Sequence, residues 1–122
     1  MMPNWRVLIV DDDSVNRQML RLLLQDEGFQ VESACTLKEG AGAVQGVKFD
    51  VVIVDLYLPD GLGTQLIPVI RSAQPGALVT MFTGSTERPL DAGPDLSFRK
   101  GADPRELVTG LQARLSDLSS EK

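Results

Sequence analysis

The run Val7-Leu8-Ile9-Val10 contains no polar position and ends directly on three aspartates. A short, β-branched, wholly apolar run of this kind predicts a strand buried on both faces. Val51-Val52-Ile53-Val54 is a stronger example, residues 77–82 and 96–99 predict a fourth and a fifth strand, and 31–34 a weaker second. Between the strands the periodicity becomes helical. Val15, Met19, Leu22 and Leu23 form one apolar helix face, with Asp13 or Ser14 as the cap and Gly28 as the stop. Thr36 and Glu39 make a capping-box pattern that opens a second helix, expected to be marginal because it contains Gly40 and Gly42. A turn over 55–63, with Pro59, Gly61 and Gly63, precedes a third helix over about 64–73, in which Pro68 predicts a kink or a delayed start. Asp103-Pro104-Arg105-Glu106 is a helix start, and Leu107, Leu111, Leu115 and Leu118 continue it as an apolar stripe.

Strands alternating with helices predict an α/β fold: a doubly wound, five-stranded parallel sheet with helices on both faces. One stretch breaks the alternation. Residues 84–95 hold Gly84, Pro89, Gly93 and Pro94, with Leu90 as the only large apolar residue, so the fourth helix is expected to be short or missing. The whole chain, 1–122, reads as one domain with its core over about 4–118 and a polar tail at 119–122. In such sheets ligands gather at the carboxyl ends of the strands, which directs attention to the polar residues there.

Composition narrows the chemistry. Histidine is absent and Cys35 is the only cysteine, so histidine triads, histidine metal ligands, an internal disulfide and a cysteine zinc site are excluded. Cys35 is expected to be a small buried or half-buried residue, and Trp5 to pack on the first strand. A net charge of −5 without a basic run argues against direct nucleic-acid binding. The N-terminal residues are neither a signal peptide nor a membrane span, so a soluble cytoplasmic protein without membrane association is expected.

The strand ends carry a distinctive set. Asp11, Asp12 and Asp13 follow the first strand, Asp55 the third, Thr83 and Gly84 the fourth, and Lys100 the fifth. With the first and third strands adjacent, several carboxylates converge, and their repulsion calls for a proton or a cation. Hard oxygen ligands suit Mg²⁺, which binds through a few carboxylates together with phosphate oxygens. A lysine and a hydroxyl beside it could neutralise a transferring phosphoryl group, leaving one carboxylate as nucleophile. Asp13 reads more plainly as a helix cap or surface charge.

Five motifs in order, Val-Leu-Ile-Val-Asp11-Asp12, then Val-Asp55-Leu-Tyr-Leu-Pro59, Gly63, Thr83-Gly84 and Lys100, resemble the receiver domain of two-component response regulators over nearly the whole chain. The resemblance implies a flavodoxin-like strand order 2-1-3-4-5. It makes Asp55 the phosphoacceptor, and Asp12 and Asp11 the acidic Mg²⁺ ligands, with Asp55 and the Tyr57 backbone carbonyl completing the protein's share. Thr83 and Lys100 become the groups that engage the phosphate. Tyr57, Gly84 and Ser85 stand where they would govern access and phosphoryl lifetime; the Tyr57 ring in particular would shield the acyl phosphate from water. The implied donor is a histidine kinase or a histidine phosphotransfer protein, and the implied role is a switch that catalyses only its own phosphotransfer and dephosphorylation.

Three departures from the family pattern stand out. Ser97 occupies the switch position where an aromatic is usual, and Phe98 should point to the opposite face. The interval from Thr83 to Lys100 is short, as in single-domain receivers with a reduced fourth helix. Gly101 replaces a common proline, so the preceding bond is either trans with a rerouted loop, or cis against a cost of about 2.5–4 kcal/mol. Two other functions fit parts of the sequence. A degenerate receiver would bind partners without phosphorylation. A haloacid-dehalogenase-type phosphatase would use Asp11 as nucleophile, since Asp11-Asp12-Asp13-Ser14-Val15 fits its D-x-D-x-[T/V] motif.

Overall fold

The computed structural model describes residues 4–84 and 93–120. The strands are β1 (Arg6–Val10), β2 (Gln30–Ala34), β3 (Val51–Val54), β4 (Tyr57–Leu58), β5 (Gly61–Leu62), β6 (Leu78–Thr83) and β7 (Leu96–Arg99). The helices are α1 (Ser14–Asp26), α2 (Leu37–Gly46), α3 (Ile67–Ala73) and α4 (Pro104–Ser120). Five strands form one sheet in the order β2-β1-β3-β6-β7. Every pairing in that sheet is parallel. Numbered by the sheet strands alone, this is the expected 2-1-3-4-5 order. The short β4 and β5 pair antiparallel as a separate hairpin, where the sequence suggested only a turn.

Alternation along the strands divides the core. Leu8, Val10, Val52, Val54, Val79 and Met81 face α2 and α3, where they meet Val44, Leu66, Ile67 and Ile70. Val7, Ile9, Val51, Ile53, Leu78 and Phe82 face the other way, against Leu20 and Leu24 of α1 and Leu107, Leu111 and Leu115 of α4. Both faces of the sheet are therefore covered, which is why the central strands β1 and β3 read as continuous apolar runs, while the edge strands β2 and β7 are mixed. The Trp5 ring packs against Phe29 with centroids 5.6 Å apart.

The expected face of α1 needs correction. Leu20 and Leu24 are the buried residues, Met19 and Leu23 are half-buried, and Val15 and Leu22 are 73% and 59% exposed. The helix carries more apolar residues than one stripe can use, and sheet contact selects which of two overlapping stripes is buried. Leu118 of α4 likewise lies at 44% exposure, beyond the end of its stripe.

Helix α2 forms despite its glycines because its N-terminus is capped several times over. The Thr36 side chain accepts from the Glu39 N–H at 3.0 Å, and Glu39 Oε1 accepts from the Cys35 N–H at 3.0 Å, one residue earlier than a capping box has it. Asp60, at the tip of the β4–β5 hairpin, adds bonds from the Leu37 and Lys38 N–H groups at 2.8 and 3.1 Å. The Leu37 bond does most to hold the Asp60 carboxyl below its usual range. Pro68 delays α3 as expected: Gly63–Leu66 is a 3₁₀ turn, and the α-helix starts at Ile67 with the proline in its first turn. Of the interval read as an eroded helix, Gly93, Pro94 and Asp95 are non-helical, and 85–92 lie outside the described residues. Asp95 ties this stretch down, accepting from the Val79 N–H at 2.8 Å and pairing with Arg71 at 3.0 Å.

Candidate functional site

β1 and β3 are neighbours in register, Val10 beside Val54, so the residues that follow them emerge side by side. The Asp11 N–H donates to the Ala34 carbonyl at 3.0 Å, and the Asp55 N–H to the Val10 carbonyl at 2.9 Å, which carries sheet order one residue past each strand. Asp11 is 2% exposed, Asp55 is 8% exposed, and Asp12 faces solvent. One carboxylate oxygen from each of the three lies within 4.8 Å of the others. These are hard oxygen donors grouped closely enough to converge on one cation, and their chemistry fits Mg²⁺.

Lys100, just past β7, reaches the same point. Its Nζ lies 2.9 Å from Asp11 Oδ2 and 2.8 Å from Asp55 Oδ2. Burial pushes the Asp11 carboxyl above its usual range, against the lowering effect of the Asp13 N–H and of Lys100. Burial acts in the opposite direction on the lysine and would lower it, but hydrogen bonds to Asp55 and Asp11 outweigh it and hold Lys100 above its ordinary 10.5. The Lys100–Gly101 bond is trans, with Gly101 at φ +96° turning the chain into an Lys100–Ala102 bridge. Of the two routes open at Gly101, the chain takes the rerouted loop.

Thr83 closes β6 on the same edge, half-buried, and its carbonyl accepts from the Lys100 N–H at 3.0 Å. Gly84 is exposed beside the lysine stem; a Cβ there would lie 3.9 Å from Lys100 Cβ. Ser85 lies outside the described residues. Tyr57 is 51% exposed in the hairpin that follows Asp55, paired with Leu62. Ser97 is exposed on β7, while Phe98 joins the α1–α4 face, as strand alternation requires. Asp13 is the α1 cap, accepting from the Val15 N–H at 2.9 Å and from Asn16 at 3.1 Å.

Arg17 is absent from the sequence-level reading of the site. It donates from one guanidinium nitrogen to the Asp11 carbonyl at 2.7 Å. An arginine one turn into an amphipathic helix carries no pattern that would single it out.

Two buried carboxylates joined by a lysine, with a third carboxylate beside them, stand at the carboxyl edge of a 2-1-3-4-5 sheet. The family described as the response regulator receiver domain matches residues 7–112, and the chain belongs to it. A DNA-binding response regulator, MtrA of Mycobacterium tuberculosis strain H37Rv, is 34% identical over 115 residues, 90% of this chain and 50% of that protein. The cell cycle transcriptional regulator CtrA of Caulobacter vibrioides is 33% identical over 82 residues, 67% of this chain and 36% of that protein. The chain thus spans about half the length, or less, of the curated relatives it matches. Among solved structures, a CheY-like receiver domain protein from Methanospirillum hungatei superimposes with TM-score 0.91 at 31% identity, covering 98% of this chain and 100% of that one. The response regulator TrrA of Thermotoga maritima, solved in complex with Mg²⁺–BeF, gives TM-score 0.83 at 25% identity, covering 91% and 98%. Among the described residues no helix is long and apolar enough to cross a membrane.

Proposed function

We propose that Asp55 is the phosphoacceptor, taking its phosphoryl group in the cytoplasm from a phosphohistidine on a sensor kinase or phosphotransfer protein. The observation that carries this reading is the state of its two oxygens. Asp55 Oδ2 is paired with Lys100, and no hydrogen bond reaches Oδ1 among the described residues. Asp11, by contrast, has Oδ1 engaged by the Asp13 N–H at 2.9 Å and Oδ2 by Lys100. An oxygen that carries no donor is the less encumbered nucleophile, which favours Asp55 over the phosphatase-like alternative at Asp11.

Asp11, Asp12 and Asp55, with the Tyr57 carbonyl, would hold Mg²⁺, a reading that the Mg²⁺–BeF complex of the Thermotoga relative supports. Bound there, the ion supplies positive charge to the phosphoryl oxygens. Asp55 forms the new O–P bond as the donor's N–P or acyl O–P bond breaks, and the electron pair leaves with the donor. Lys100 remains against the acceptor and takes up charge on the phosphoryl oxygens, with Thr83 offering its hydroxyl from β6. Water later reverses the modification at the same phosphorus. With a net charge of −5, the domain itself is not the nucleic-acid-binding element.

Intact mass after incubation with Mg²⁺ and a small acyl-phosphate donor tests the assignment. One phosphoryl group is expected, lost in Asp55→Asn and without Mg²⁺. Uptake that survives in Asp55→Asn and disappears in Asp11→Asn would sink it in favour of the phosphatase-type site. No uptake from either this donor or a phosphohistidine protein would leave a phosphorylation-independent binding module.

Tyr57, half exposed in the hairpin after the acceptor, is assigned the shielding role. Tyr57→Ala is expected to shorten the phosphoprotein lifetime several-fold, on the order of 1 kcal/mol in the hydrolysis barrier. An unchanged decay of the phosphorylated mass would show that the ring does not shield.

A further inference from the structure

The Asp11–Asp12 peptide is held in an unusual way. Asp11 lies one residue beyond β1, and among the described residues no backbone N–H donates to its carbonyl. The donor is instead the Arg17 guanidinium, at 2.7 Å from a partly buried position on α1. Asp12, the next residue, is exposed, and its carboxylate takes no hydrogen bond among the described residues. Its direction therefore depends on the backbone that carries it. That backbone is fixed on one side by the Asp13 N–H bond to Asp11 Oδ1, and on the other by Arg17.

We infer that Arg17 is a positioning residue for the metal ligands: by holding the carbonyl of the Asp11–Asp12 peptide, it aims the Asp12 carboxylate at the Asp11–Asp55 pair. The inference rests on the Mg²⁺ reading of the site. A partner that orients a metal ligand without touching the metal commonly changes affinity by about 10–100-fold when removed.

Charge and orientation make opposite predictions here. Arg17 is a cation beside an acidic cluster, so deleting its charge alone would strengthen Mg²⁺ binding. Deleting its hydrogen bond would weaken it. The sign of the change identifies the role.

The experiment is calorimetric titration of MgCl₂ into the unphosphorylated protein at fixed ionic strength, for wild type, Arg17→Met and Arg17→Lys. Arg17→Met is expected to bind Mg²⁺ about tenfold more weakly or worse. Arg17→Lys, which keeps a donor at similar reach, is expected to recover most of the loss. Equal or tighter binding by Arg17→Met, or a lysine variant as weak as the methionine one, overturns the positioning role while leaving the metal site intact. A wild-type protein that binds no Mg²⁺ overturns the metal reading, and this inference with it.

Discussion

Lys100→Met is expected to destabilise the metal-free protein by about 3 kcal/mol at neutral pH, and Mg²⁺ is expected to restore much of that loss. The lysine is the one cation paired with Asp11 and Asp55 among the described residues, and its side chain is only 20% exposed. Removing it leaves two buried carboxylates facing each other, which costs far more than loss of a surface pair. The figure is at the lower end for a broken buried pair because Asp11 can escape by taking a proton, its carboxyl being already raised by burial. A divalent ion among the same carboxylates would replace the missing charge, so Mg²⁺ should stabilise the variant more than it stabilises wild type.

The pH dependence follows from the two shifts. Lys100 is raised in the folded state, so its contribution is complete below its ordinary 10.5 and disappears only as pH climbs through the higher folded value. In wild type it is therefore constant between about pH 6 and 9. Asp11 is also raised, so its proton is favoured in the folded state, and stability drains away as pH rises from 3.8 through the folded value. Without the lysine that folded value moves higher still, so the deficit of Lys100→Met should be smaller at acidic pH than at neutral pH. Urea unfolding with EDTA or Mg²⁺ at both pH values measures this. A variant as stable as wild type in EDTA at neutral pH would show that the lysine does not neutralise the pair. Phosphoryl uptake should fall about a hundredfold, comparable to loss of one preorganised donor to a transition-state oxygen.

Most of the site was legible because strand ends in a parallel sheet are predictable places. A wholly apolar run locates β1 or β3, and the next polar residue must emerge at the carboxyl edge. Asp11 and Asp55 follow from that rule, Lys100 reads only as the residue after the less apolar fifth strand, and the structure brings the lysine within hydrogen-bond distance of both. The rule fails where position depends on another element. Pro59-Asp60-Gly61 reads as a turn, and nothing in those residues says that the Asp60 carboxylate closes the first turn of α2, 22 and 23 residues earlier in the chain. Arg17 is hidden in the same way, since its partner is a backbone carbonyl common to every residue type. On α1, Val15 and Leu22 belong to the apolar pattern but face outward, because periodicity describes the helix and not its neighbour.

Gly63 shows a motif residue whose requirement becomes physical only in three dimensions. It begins the 3₁₀ turn after the hairpin, with its N–H donated to the Leu56 carbonyl at 2.7 Å. That bond draws the turn down onto the end of β3. A Cβ at position 63 would overlap the carbonyl oxygen of Asp55 and lie 2.7 Å from Val54 Cγ1. The obstacle is mainly backbone, which cannot rotate away as a flexible side chain can. Either the turn lifts, losing its bond to Leu56, or the Asp55 peptide shifts. Gly63→Ala is therefore expected to cost about 3 kcal/mol, the upper end of ordinary overpacking. On the proposed function it should also lower phosphoryl uptake, because a displaced Asp55 no longer meets Lys100. Gly42→Ala is the internal control. That glycine lies within α2, and a Cβ added there would meet nothing within 4 Å, so the same methyl should stabilise by up to about 1 kcal/mol. Chemical denaturation of the two variants beside wild type tests the pair. Opposite signs would establish close approach to the Asp55 backbone as the reason for glycine at 63. A Gly63→Ala protein as stable as wild type would mean that β3 and the turn are not locked together.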